Sequence, residues 1–80
     1  MKAKVYVTLK RGVLDPQGKA IAHALNSLGF DEVESARQGK VIELELRDVP
    51  DGQANARIDT MCQTLLANMV IEDYRVELLC

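Results

Sequence analysis

Residues 2–10 alternate without a break. Ala3, Val5, Val7 and Leu9 point one way, and Lys4, Tyr6, Thr8 and Lys10 point the other. A period of two belongs to a half-buried strand. The pattern then changes abruptly. Asp15 can cap free backbone N–H groups, and Pro16 suits a first helical position, where a missing N–H costs nothing. Ala20, Ile21, Ala24, Leu25 and Leu28 follow at helical spacing. Gly29 ends the helix, because it takes the left-handed conformation without steric penalty.

The remainder repeats this grammar. Phe30 to Gln38 is expected as a second strand, with imperfect alternation, and Gly39-Lys40 as a turn. Val41 to Arg47 alternates again, with Ile42, Leu44 and Leu46 on one side. Asp48-Val49-Pro50-Asp51-Gly52 breaks the chain. Ile58, Met61, Cys62, Leu65, Leu66 and Met69 then form an apolar helical stripe, for which Asn68 is a reasonable terminator. A last strand is expected from Ile71 to Leu79, with Tyr74, Val76 and Leu78 facing one way. The order βαββαβ implies an α+β fold: a ferredoxin-like sandwich with a four-stranded antiparallel sheet in the order 4-1-3-2 and both helices on one face. Residues 1–80 read as a single domain.

Eighty residues give a thin core. Only Tyr6, Phe30 and Tyr74 are aromatic, so core volume must come from aliphatic side chains. Association with another chain is an expected source of stability. The uncovered sheet face and the strand edges, around Tyr6, Val41 or Leu79, are the expected homodimer contacts. A net charge of −2 argues against binding nucleic acid through phosphates or attaching to a membrane surface. No apolar run approaches the ~20 residues of a membrane-spanning helix. The start of the chain does not read as a signal segment, so a cytoplasmic location is expected. Cys62 and Cys80 are expected to be free thiols of a reducing compartment.

No catalytic set emerges. His23 lies beside Lys19 and Asn26 on helix one and reads as an exposed histidine rather than a general base. Cys62 has no base nearby in sequence. Glu43 and Glu45 share a face, but pairing with lysines across the sheet accounts for them better than a cation does. The Lys10-Arg11-Gly12 loop precedes a helix N-terminus, where phosphate could bind, yet Asp15 takes up those donors and would repel an anion. Lys10 and Arg11 are better suited to an acidic surface on a partner. An RNA-recognition domain of this topology needs aromatic platforms on its middle strands, and Val41-Ile42-Glu43-Leu44 has none. A regulatory domain that binds a small metabolite stays open.

Two junctions are worded in more detail than packing requires. The first contains Lys10, Arg11, Gly12 and Asp15, and the second Asn68, Glu72, Asp73 and Tyr74. These eight residues are the candidate partner-binding positions. The two junctions are expected at opposite ends of neighbouring strands, as two separate contact regions.

The runs VTLKRGVLDPQGKAI and ALNSLGFDEV, then Arg37-Gln38-Gly39-Lys40 with Ile42-Glu43-Leu44, and LLANMVIEDYRVEL make the chain similar to the PurS family. These are small subunits of the three-component phosphoribosylformylglycinamidine synthase of purine biosynthesis. The family usually has Asn-Pro after the second helix, where this chain has Asn68-Met69. The resemblance implies a homodimer or higher oligomer with no catalytic residue, cofactor or metal of its own. It also implies that the chain joins a large ATP-binding synthase subunit to a glutaminase subunit and supports ammonia transfer. ATP, Mg and glutamine are then used by the complex.

Overall fold

A computed structural model describes residues 1–47, 49 and 52–79. The elements are β1 (Lys2–Leu9), α1 (Pro16–Ser27), β2 (Lys40–Glu45), α2 (Ala54–Met61), a π-helical turn (Cys62–Leu66) and β3 (Glu72–Leu79). The expected break at Asp48, Pro50 and Asp51, and the expected thiol of Cys80, lie outside the described residues.

The sheet is antiparallel, in the order β2-β1-β3. Val5 lies opposite Ile42 on one side and Val76 on the other. The alternation of β1 sets this register. Ala3, Val5 and Val7 are buried with Ile58, Cys62 and Ala67, and Ile42, Leu44, Tyr74 and Val76 pack against them. On the other face Lys2, Lys4 and Tyr6 stand opposite Glu45, Glu43 and Val41. Lys2 pairs with Glu45 at 3.8 Å, both well exposed, so the pair contributes only about 0–1 kcal/mol. Tyr6 donates its hydroxyl to Glu77 at 3.1 Å, and the Arg75 guanidinium lies 4.2 Å from the centre of its ring.

Three expectations are corrected. The fourth strand is absent: residues 30–38 form turn and coil, and the described residues contain three strands. Phe30, Val33 and Ala36 are spaced by three, and a strand would send them to alternating faces. Here Val33 and Ala36 are half-buried.

The two helices also do not share one face. α2 packs against β3, whereas α1 stands off the sheet and packs mainly on residues 30–38, its own return segment. Asp15 caps α1 through the Gly18 N–H at 2.9 Å, and Gly29 at φ 100° follows its end. Both ends are therefore as expected, but the body of the helix is not. The molecule measures 51 × 26 × 14 Å, with a radius of gyration of 16.2 Å. A compact domain of this length would have about 12 Å.

The second helix also ends differently. The Ala67 N–H reaches back five residues to the Cys62 carbonyl at 2.9 Å, which closes a π turn. The wider turn rotates the following residues, so Ala67 is buried and Leu65 is 83% exposed. Leu65 and Met69 thereby leave the expected apolar stripe.

Candidate functional site

In an antiparallel pair the end of one strand adjoins the start of its neighbour. Leu9 accordingly pairs with Glu72, and the Lys10 N–H donates to the Ile71 carbonyl at 2.8 Å. The two detailed junctions therefore meet at the same end of the sheet. The expectation of two separate regions at opposite ends is wrong: the two junctions lie at one end of the sheet.

The first junction is built by local bonds. Lys10 accepts from the Val13 N–H at 3.1 Å, which makes a tight turn. Gly12 lies inside it at φ 87°, in the left-handed region that residues with a side chain rarely adopt. Arg11, between them, is exposed. The Arg37 guanidinium donates to the carbonyls of Leu9 and Lys10, so the return segment holds the end of β1. Asp15 holds both sides of the arm formed by α1 and its return segment, residues 30–38. One carboxylate oxygen takes the Gly18 N–H, and the other takes the Gln38 N–H at 2.8 Å. Those bonds, Gln38 first and Gly18 second, hold its carboxyl below the usual value.

The second junction is equally self-contained. The Asn68 N–H donates to Glu72 Oε1 at 2.7 Å, and the Glu72 N–H donates to the Asn68 carbonyl at 2.7 Å. The Asn68 side-chain oxygen accepts from the Val70 N–H at 3.1 Å. Asn68 and Glu72 thus shape the turn with their own polar groups. Met69, where the resemblance leads one to expect proline, lies inside this turn. Asp73 is exposed opposite Thr8. Tyr74 faces the other way: its hydroxyl donates to Asp59 of α2 at 2.9 Å. Tyr74 therefore has a packing role among the candidates, since its side chain pins α2 to β3.

Between the junctions is a cleft of about 250 Å³, bordered by Leu9, Asp15, Gln38, Gly39, Lys40 and Glu72. A Cβ on Gly39 would sit 2.6 Å from the Val7 carbonyl oxygen, so glycine allows the return segment to approach β1 closely. Arg37, Gln38 and Gly39 join the site although they are not among the eight candidate positions. Their signal lay in the Arg37-Gln38-Gly39-Lys40 run, which a simple turn does not require.

Groups with possible chemistry are dispersed. His23 is exposed on α1. Cys62 is buried, and burial, with the nearby Asp59 carboxylate, pushes its thiol pKa up. Among the described residues, no three His, Cys, Asp or Glu side chains converge in a way that could hold a metal ion. Nor is any described helix long and apolar enough to cross a membrane.

Sheet, arm and junction end together define a class: a small α+β domain with an open three-stranded sheet, a projecting helix and one elaborately bonded end. The model of the PurS family, described as phosphoribosylformylglycinamidine (FGAM) synthase, matches residues 2–79. The chain is 51% identical over 76 residues to phosphoribosylformylglycinamidine synthase subunit PurS of Bacillus subtilis, covering 95% of this chain and 89% of that one. It is 40% identical to the subunit of the same name from Methanocaldococcus jannaschii, covering 95% and 92%. A solved B. subtilis PurS structure superposes with a TM-score of 0.86 at 51% identity, over 95% of this chain and 94% of that one. The M. jannaschii PurS structure, described as one of the subunits of formylglycinamide ribonucleotide amidotransferase in the purine biosynthetic pathway, gives 0.84 at 39% identity, covering 95% and 92%. This chain belongs to the PurS family.

Proposed function

We propose that this chain is the non-catalytic small subunit of an ATP- and glutamine-dependent phosphoribosylformylglycinamidine synthase in purine biosynthesis. It acts as a dimeric adaptor between a large ATP-binding synthase subunit and a glutaminase subunit, and it supports ammonia transfer between them. ATP, Mg and glutamine are used by the larger subunits. The observation that carries this reading is the family match, which runs through both junctions over residues 2–79.

The physical character of the junction end supports it. Backbone and side-chain groups there bond largely to one another, which fixes the loops before any partner arrives. A preorganised surface loses less entropy on association than a mobile one. Exposed Arg11 and Asp73 project from this rigid end and can steer a partner of complementary charge. The thiol of Cys62, buried and held protonated, is a poor nucleophile.

Reconstitution tests the reading. Glutamine-dependent amidine formation by the two larger subunits should require this chain, while the chain alone should release neither ammonia from glutamine nor phosphate from ATP. Equal assembly and activity without it would refute the adaptor role.

A second reading has one observation in its favour. An apolar groove of about 490 Å³ runs beside α2, and a small metabolite could enter it. A thermal-shift screen with amino acids and nucleotides separates the two. A regulatory module is stabilised by one of these compounds, whereas the adaptor is stabilised by its protein partners.

A further inference from the structure

We propose that the turn leading into β3 is an apolar anchor: Met69, Val70 and Ile71 enter an aliphatic socket on one of the two larger subunits, with Val70 at the centre. The inference rests on the adaptor reading above and names the residues and the partner chemistry of its contact.

Turns are ordinarily built from Gly, Pro, Asn, Asp or Ser, which supply unusual backbone angles or local hydrogen bonds. Residues 69–71 are none of these. Met69, Val70 and Ile71 are consecutive apolar side chains, all exposed, and Val70 is exposed by 82%. A single exposed aliphatic residue is ordinary. A run of them at the tip of a turn breaks the polar pattern of a loop, which is tolerated where the run has a function.

The polar groups of the turn make this tip fit for burial. The Asn68 N–H bonds Glu72 Oε1, and the Val70 N–H bonds the Asn68 side-chain oxygen. The Ile71 and Glu72 N–H groups both reach the Asn68 carbonyl, at 3.1 and 2.7 Å. Four of the five N–H groups of residues 68–72 are thus bonded within the turn. The Ile71 carbonyl accepts from the Lys10 N–H, which ties the turn to the end of β1. A partner that covers the tip therefore takes few unbonded polar groups out of water, and the penalty for burying such groups is largely avoided. The same bonds hold the tip in one conformation, so little freedom is lost on docking.

The tip is convex. Small molecules need a concave site, whereas a projecting aliphatic turn fills a socket in another protein. The charges beside it specify the rim of that socket. Arg11 follows Lys10 on one flank, and Asp73 follows Glu72 on the other; both are exposed. Glu72 is engaged by Asn68 inside the turn, so Asp73 is the acid directed at a partner. The matching socket is lined by aliphatic side chains and carries an acidic group facing Arg11 and a basic group facing Asp73. An apolar centre with a charged rim is the usual layout of a protein interface.

The test measures binding of the full chain to the purified synthase and glutaminase subunits of its host, each separately. Val70→Asp and Val70→Lys should each weaken binding to one subunit by about tenfold or more, the worth of a buried valine, and leave the other unchanged. The loss should lie in the dissociation rate and persist at high salt, unlike that of a rim charge. Val70→Ile should bind as the parent does. Urea midpoint and light-scattering mass should match the parent in every variant, because Val70 is at the surface. If a charged variant unfolds, Val70→Thr keeps the shape, adds one hydroxyl and makes the same test with a smaller loss. Parental dissociation rates in these variants overturn the anchor and leave the adaptor reading standing. Opposite effects of Asp and Lys overturn it as well, since they show a contact made by charge, and so does equal weakening against both subunits. A lower mass in the charged variants makes the turn a contact between copies of this chain and overturns the socket. A parent chain that binds neither subunit overturns the adaptor reading and the anchor together.

Discussion

Asp15 and Gln38 lie 23 residues apart, yet the Gln38 N–H donates to an Asp15 carboxylate oxygen at 2.8 Å. The other oxygen caps α1 at Gly18. One carboxylate therefore closes the whole arm, and it does so best when ionised.

The sign of the resulting pH dependence follows. The carboxyl pKa is lowered in the folded chain, so ionised Asp15 stabilises the fold. That contribution is fully present above the ordinary value of 3.8 and is lost as pH falls through the lower folded value. Hydrogen exchange should show the Gly18 and Gln38 amides losing protection at acid pH before the amides of β1. Asp15→Ala should expose the same two amides at neutral pH. Unchanged protection in that variant would show that the arm is held by other contacts.

Gly18→Ala sets two effects against each other. Alanine is favoured over glycine inside a helix by about 1 kcal/mol. Its Cβ, however, would collide with the Ala36 carbonyl oxygen, which is backbone and cannot swing aside. Overpacking of this kind costs about 1–3 kcal/mol. The variant should therefore be destabilised in urea denaturation, whereas Lys19→Ala, at an exposed position on the same helix, should stay within about 0.5 kcal/mol of the parent.

Much of this architecture was legible because burial imposes a period. The alternation of β1 places Val5 between Ile42 and Val76, and Asp15-Pro16 and Gly29 mark the ends of α1. Other features leave no such trace. The π turn at Cys62 adds one residue to a helix, which turns Leu65 outward without altering the apolar count. The stripe at Ile21, Ala24 and Leu28 has the spacing of a buried helical face, yet all three residues are exposed in the chain. Over Phe30 to Gln38 an imperfect alternation suggests a strand, but the three-residue spacing of Phe30, Val33 and Ala36 fits the observed turn and coil. In the site, the residue types at the junctions are informative, but their placement at one end depends on the pairing of Leu9 with Glu72, which the sequence does not specify.

Tyr74 separates stability from recognition. Its hydroxyl bonds Asp59, so Tyr74→Phe should cost about 1 kcal/mol, a typical net hydrogen bond. Tyr74→Ala removes a half-buried ring and should cost about 2–3 kcal/mol, below the usual range for a fully buried aromatic. If loss of partner binding in Tyr74→Ala persists at temperatures where the variant is fully folded, Tyr74 also touches the partner, and its role is not confined to holding α2.

Arg11 and Asp73 offer the sharpest test of a single junction surface. Both are exposed, and their strands meet where Lys10 bonds Ile71. Exposed rim charges change association rates more than they change the strength of the bound complex. Arg11→Ala should thus slow binding to one larger subunit a few-fold, with a smaller effect at high salt. Asp73→Lys should act on the same subunit, because both residues lie at one end of the sheet. Association rates measured for each single variant and for the pair, against the synthase and glutaminase subunits separately, decide the matter. The structure predicts that both substitutions act on one subunit and leave the other's rate unchanged. If Arg11→Ala slows one subunit while Asp73→Lys slows only the other, the two junctions serve different partners despite their adjacency, and a single recognition surface at this end is wrong.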